Sequence, residues 1–143
     1  MGDLPRMKRR TRQHQAIYDV IVAADRPLLA QEILTLAAGA VPQLSIATVY
    51  RTIKALQETC TIKAVLLPGQ NPRYEPADHS HHHYFQCRQC ERVFDVGTCP
   101  GNLDNLVPSG FTLEDHEIIL YGRCCECSTG IIVLASASTL NVG

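Results

Sequence analysis

Two cysteine pairs, Cys87-x-x-Cys90 and Cys124-x-x-Cys127, constrain this chain more than any apolar pattern in it. Each pair has the spacing that lets two thiolates reach one ion, and two pairs complete a closed tetrahedral zinc site. About 33 residues separate them, more than a minimal zinc ribbon needs. The intervening segment is therefore expected to form a small α/β unit that structural zinc pins together. There are seven cysteines in 143 residues. An odd count with two such pairs fits a reducing cytoplasm and metal thiolates better than a disulfide framework. Cys125 is left over, because x-x spacing pairs Cys124 with Cys127.

Directly before the first pair, His79, His81, His82 and His83 put four imidazoles into five positions. Such a run is a poor core, and it reads as metal-binding. In an extended strand, His81 and His83 share one face while His82 and Tyr84 share the other, so one strand can serve two metals. The alternatives are a solvated histidine run or a metal buffer that uses it without DNA.

The net charge of −1 hides an asymmetry. Residues 1–76 hold ten Lys/Arg against six Asp/Glu, whereas residues 77–143 hold three against eight. A basic half faces a polyanion and an acidic, Cys/His-rich half faces cations. Within the basic half, Arg6, Lys8, Arg9, Arg10 and Arg12 precede Ala16, Ile17, Val20, Ile21 and Ala24 at helical spacing. Cations at a helix N-terminus oppose its dipole, and a phosphate backbone would compensate them. A short second helix is expected from Leu29 to Ala38, stopping at Gly39. Ser45 then caps a third helix whose apolar stripe is Ile46, Val49, Ile53 and Leu56, leaving Thr48, Arg51, Thr52 and Ala55 outward and Tyr50 at the edge. A small-residue face carrying one arginine suits close approach to a duplex. Two strands, 61–67 and 73–75, flank the turn Pro68-Gly-Gln-Asn-Pro72, which completes a winged helix-turn-helix. Cys60 is expected to be a small buried residue.

In the acidic half, residues 84–96 are expected to form a strand pair bent at the first knuckle. A short helix within 100–107 should turn Leu103 and Leu106 inward, and a long strand over 111–121 should deliver Cys124 and Cys127. The fold class is α+β. The domains are 1–76, a winged-helix DNA-binding domain, and 77–127, a metal-binding α/β domain; the tail, 128–143, has no assignment. The longest apolar run, Ile131 to Ala135, is far short of the roughly 20 residues of a membrane span. The expectation is a cytoplasmic protein with no membrane segment. No motif shows an activated nucleophile or an acid–base pair, so an enzyme is not expected.

Arg10-Thr11-x-Gln13, Ala47-Thr-Val-Tyr-Arg51, Arg73-Tyr-Glu75, the histidine run, both cysteine pairs, Gly110-Phe111, His116 and Tyr121-Gly122 together resemble the ferric uptake regulator (Fur) family of metal-dependent repressors. The resemblance covers roughly residues 8–127. It implies a homodimer that binds a palindromic DNA operator, with the second domain dimerising, structural zinc on the four cysteines and a regulatory metal between the halves. It also implies that Tyr50 and Arg51 touch bases and phosphates, beside Thr48, and that Arg9 or Arg10 approaches the minor groove.

The chain departs from the family at the sensing site, with Pro27 and Tyr84 where histidines are usual. Glu75, His82 and Asp95 remain at matching positions. Three readings stay open: a weakened site, one rebuilt with Tyr84, or one shifted onto His81 and His83. A second family site matches His81 and His83 but meets Asn102 and Arg123 at its later positions, where Cys99, Asp104 or His116 can substitute. Zn, Fe and Mn all suit such a regulatory site. No small-molecule substrate beyond metal ions is expected. A thiol redox sensor in which Cys60, Cys99 or Cys125 forms a reversible disulfide is a further alternative, and the resemblance also allows peroxide sensing by iron-dependent oxidation of a ligand histidine.

Overall fold

A computed structural model of the chain describes residues 3–77 and 82–129, with side chains from Thr11 onward. It divides into two compact units, Met1–His79 and Ser80–Gly143.

The first unit is built on three helices, α1 (Asp3–Ala23), α2 (Ala30–Ala37) and α3 (Ile46–Glu58), and a three-stranded sheet. Ile17 and Ile21 of α1, Ile33 and Ala37 of α2, and Val49, Ile53 and Leu56 of α3 meet in one core. These are the apolar positions at helical spacing, so burial of their stripes holds the helices together. Ser45 caps α3 as expected, its Oγ accepting from the Thr48 amide at 3.2 Å. The capping of α2 comes from Glu32, which accepts from the Leu29 amide at 3.0 Å and is paired with Arg26 at 2.8 Å. The wing consists of β2 (Ile62–Val65) and β3 (Arg73–Pro76), antiparallel, with Gly69 in the turn at φ 71°. Only glycine adopts that backbone without strain. A two-residue strand, β1 (Leu28–Leu29), adds to the other edge of β3.

Two expectations for this unit fail. Thr52 is buried, because it falls three residues after Val49 and four before Leu56, inside the stripe. Cys60 is exposed: it follows the α3 C-cap in a left-handed conformation at φ 57°, which turns its side chain away from the core.

The second unit is a three-stranded sheet of order β5-β4-β6, comprising β4 (His83–Cys87), β5 (Val93–Val96) and β6 (Ile119–Gly122). β4 and β5 form the expected knuckled hairpin, whereas β6 runs parallel to β4 after a long crossover. A five-residue helix, α4 (Cys125–Thr129), ends the described chain, so two residues of the unassigned tail are helical and the rest lies outside the description.

The long strand expected over 111–121 is reduced to β6. Its ladder stops at Ile118, whose amide turns to the His83 side chain instead of a neighbouring carbonyl. Of the two leucines expected to turn inward, Leu103 is half-buried and Leu106 is not. They occupy a single 3-10 turn, and Leu106 is 74% exposed, because one turn has no face long enough to bury. No helix among the described residues is long and apolar enough to cross a membrane.

Candidate metal centres and nucleic-acid face

The four paired cysteines converge. Cys87 ends β4, Cys90 closes the knuckle, Cys124 follows β6 and Cys127 lies on α4. The parallel register places Gly122 opposite Cys87, and the Arg88 amide donates to the Gly122 carbonyl at 2.7 Å, so Cys124 arrives beside the knuckle. All four sulfur atoms lie within 4.8 Å of one another, with Cys90 and Cys124 at 3.8 Å. Zn–S bonds of about 2.3 Å in a tetrahedron require sulfur separations of about 3.8 Å, so the residues fit zinc.

The surroundings favour thiolates at the knuckle. Burial alone would push Cys87 up, but the amides of Cys90, Cys124 and Gln89 aim at its sulfur and lower it to about 6. Cys90 is also lowered: burial opposes this, and the Arg92 guanidinium, whose Nε donates to its sulfur at 3.2 Å, outweighs it. Cys127 is pushed up to about 12 by burial and by the neighbouring sulfurs. Three sulfurs already crowd it, and a divalent cation is what would stabilise a fourth charge there. Arg92 also pairs with Glu126 of α4, which ties the knuckle to the helix carrying Cys127. Sequence reasoning did not single out this pair. Its signal was an arginine two residues after one cysteine pair and a glutamate inside the other. Cys125 is exposed and outside the cluster.

A second group, His83, Cys99 and His116, offers three ligand atoms within 4.8 Å of one another. His83 starts β4 and is 1% exposed, His116 is half-buried and Cys99 is exposed. Cys99 Sγ lies 3.2 Å from His116 Nε2, and the two imidazole centres are 5.0 Å apart.

Of the regulatory set, the structure therefore joins His83 and His116 and adds Cys99. Neither group includes Glu75, His82 or Asp95. Glu75 is buried in the first unit, where Lys63 stands 3.6 Å from it. His82 precedes β4, and Asp95 sits on β5 opposite Tyr84, at the surface. His81 lies outside the described residues.

On the first unit, α3 presents Tyr50, 54% exposed, and the exposed Arg51. Arg51 Nη2 donates to Thr48 Oγ1 at 2.9 Å, and the Ser45 hydroxyl donates to the same oxygen at 3.0 Å. Thr48, Arg51, Thr52 and Ala55 share a cleft with Thr11, Gln13, His14 and Gln15 of α1. Arg9 and Arg10 lie further towards the N-terminus of that helix, their side chains outside the description.

The ferric uptake regulator family model matches residues 6–121. The transcriptional regulator FurA of Mycobacterium bovis is 33% identical over 92 residues, 62% of this chain and 63% of FurA, so the match spans less than two thirds of that relative. The peroxide operon regulator of Bacillus subtilis is 28% identical over 122 residues, covering 82% of this chain and 83% of its own. Among solved structures, the Helicobacter pylori ferric uptake regulator Fur, described as having three functional metal-binding sites, aligns at 24% identity. Its TM-score is 0.62, over 80% of this chain and 79% of that one. A zinc-bound manganese uptake regulator aligns with TM-score 0.68 and 24% identity, over 78% and 87% of the two chains. At that identity the structures speak for the fold alone. With the family model spanning most of the sequence, the chain belongs to the ferric uptake regulator family.

Proposed function

We propose that this protein is a metal-responsive transcriptional repressor that binds palindromic DNA operators as a homodimer. The observation that carries the proposal is the face of α3. Tyr50 and Arg51 stand exposed on a helix whose start is fixed by Ser45 and whose opposite side is locked in the core. Such a helix enters a major groove without reorganising, Arg51 reaching a base edge or phosphate and Tyr50 an apolar base surface. Thr48 orients the guanidinium, and Arg9 and Arg10 reach the adjoining minor groove.

Structural zinc is held by Cys87, Cys90, Cys124 and Cys127, and a separate divalent metal regulates. That metal acts only through stronger binding to the DNA-competent state of the dimer, since equal affinity for both states shifts nothing. The protein's part is to present ligands in the geometry of that state.

The test uses a duplex recovered by binding selection from a random-sequence library. Arg51→Ala is expected to weaken binding by about 1–3 kcal/mol if it contacts a base, or to reduce the salt slope by about one if it contacts a phosphate. The zinc content should be unchanged. Unaltered affinity together with an unaltered salt dependence would reject the proposal.

A further inference from the structure

We infer that His14 holds a phosphate of the bound duplex at the cleft between α1 and α3 and takes up a proton to do so, which makes operator binding proton-linked. This inference rests on the repressor reading above and adds to it a residue and a mode of regulation.

Three observations carry it. First, the cleft has polar walls that two helices build together. Thr11, His14 and Gln15 of α1 stand three and four residues apart, as do Thr48, Arg51 and Thr52 of α3, so each set shares one face of its helix. The space between them is about 410 Å³; Thr52 in its lining is buried, while His14, Gln15 and Arg51 are exposed. Second, the fixed charge in the cleft is cationic. Arg51 is the only permanently charged side chain among the described residues that line it. The nearest carboxylate along α1, Asp19, is not part of the lining and accepts from Gln15 Nε2 at 2.8 Å. On α3, Lys54 and Glu58 are exposed and are not part of the lining either. No carboxylate in the lining therefore repels an incoming anion or holds an imidazolium in the free protein. Third, the cleft flanks the helix that carries Tyr50 and Arg51. A helix seated in a major groove has phosphates along its flanks, and α1 packs against α3 on this side. Arg51 gives an Nη2 hydrogen to Thr48 and keeps further N–H groups for phosphate oxygens, while His14 meets the backbone from the α1 wall.

The proton follows from the chemistry of imidazole. Histidine is the side chain whose charge changes in the physiological range. A phosphate brought beside it favours the charged form, in which both ring nitrogens donate. The complex then holds more protons than its separated components, so affinity rises as pH falls and that gain is lost as pH rises. A second signature comes from counterions. A charged His14 is one more cation on the backbone, so the salt dependence of binding should steepen by about one unit per chain between pH 8 and pH 6.

The experiment uses the full chain loaded with saturating Zn(II) and the selected duplex, beside His14→Gln and His14→Arg, with metal content checked at each pH. Calorimetry in buffers of different ionisation enthalpy counts the protons taken up. Wild type is expected to take up protons at pH 7 and to show the steeper salt slope at pH 6. His14→Gln, which keeps a neutral donor at an exposed position, should lose both signatures and bind about tenfold more weakly at pH 6, with a smaller loss at pH 8. His14→Arg, permanently charged, should keep the steep slope at both pH values while taking up fewer protons than wild type. Equal proton uptake and equal salt slopes in all three proteins would overturn the inference. So would a loss in His14→Gln that is the same at pH 6 and pH 8, the mark of a purely structural role. Matching proton uptake with inorganic phosphate alone would assign the cleft to a free anion and overturn it as well. Duplex binding that proves blind to pH in these ways still upholds the repressor. A chain that binds no duplex at either pH, His14→Arg included, removes the repressor reading and this inference with it.

Discussion

The Ser45 hydroxyl does two things at once. It accepts the Thr48 amide, which would otherwise be an orphan donor of the first turn, and its proton engages the Thr48 hydroxyl that also receives Arg51. Ser45→Ala is therefore expected to cost about 1 kcal/mol in denaturant unfolding of the first unit and to weaken duplex binding by freeing Arg51. Ser45→Asp, which keeps the cap, should recover the stability. At the other unit, Arg92 donates to Cys90 Sγ and pairs with Glu126. Outer-shell donors of this kind hold ligands in place, so Arg92→Ala should release zinc to a competing chelator about 10–100-fold more readily, measured with a colorimetric zinc indicator. Protonation acts at the same sulfurs. The Cys87 thiol is lowered to about 6, so the thiolate is present above that value and lost below it. Protons compete with zinc for these sulfurs, so zinc retained through gel filtration at neutral pH should be lost progressively on acidification, at a pH below that at which the metal-free thiol itself takes up a proton.

Elements were legible in the sequence wherever one residue pattern decided one structure. The three helices, the Ser45 cap and the wing all follow from periodicity and turn chemistry, because their cores are local and their spacing is regular. The convergence of the four paired cysteines was equally legible, since C-x-x-C spacing prescribes a knuckle. What the sequence concealed was set by partners distant along the chain. Residues 111–121 are rich enough in β-formers to suggest a long strand, yet only Ile119, Leu120 and Tyr121, which have β4 beside them, become part of one. Cys99, which the sequence offered only as one of several substitutes, is set against His116, 17 residues on, by the loop between them. Thr52 was misread for a simpler reason: its polarity outweighed its helical position. Gly122, by contrast, proves to be a packing residue, because a Cβ there would stand 3.0 Å from the Phe85 ring across the β4–β6 ladder. Gly122→Ala should destabilise the second unit by about 1–3 kcal/mol, visible as lost amide protection along β6.

At the scale of the whole molecule, the chain separates a basic unit from an acidic unit rich in cysteine and histidine, each with its own source of order. The first has a continuous apolar core of its own. In the second, Cys87 and Cys124 are themselves among the buried residues, so metal takes the place of missing apolar volume. Chelation of zinc is accordingly expected to abolish amide protection in β4, β5 and β6 while the helices α1 to α3 remain protected, as hydrogen exchange would show.

The parallel pairing of β4 with β6 also imposes an order in time. Cys90 leaves the ribosome 34 residues ahead of Cys124, its partner in the cluster. At about 5–20 residues per second, the first two thiols wait roughly two to seven seconds before the second pair exists. For that interval the nascent chain carries an open dithiol without its second pair, the form in which it is most exposed to oxidants and to the wrong metal. Free zinc and redox state during translation are therefore expected to affect how much of the four-cysteine cluster is assembled.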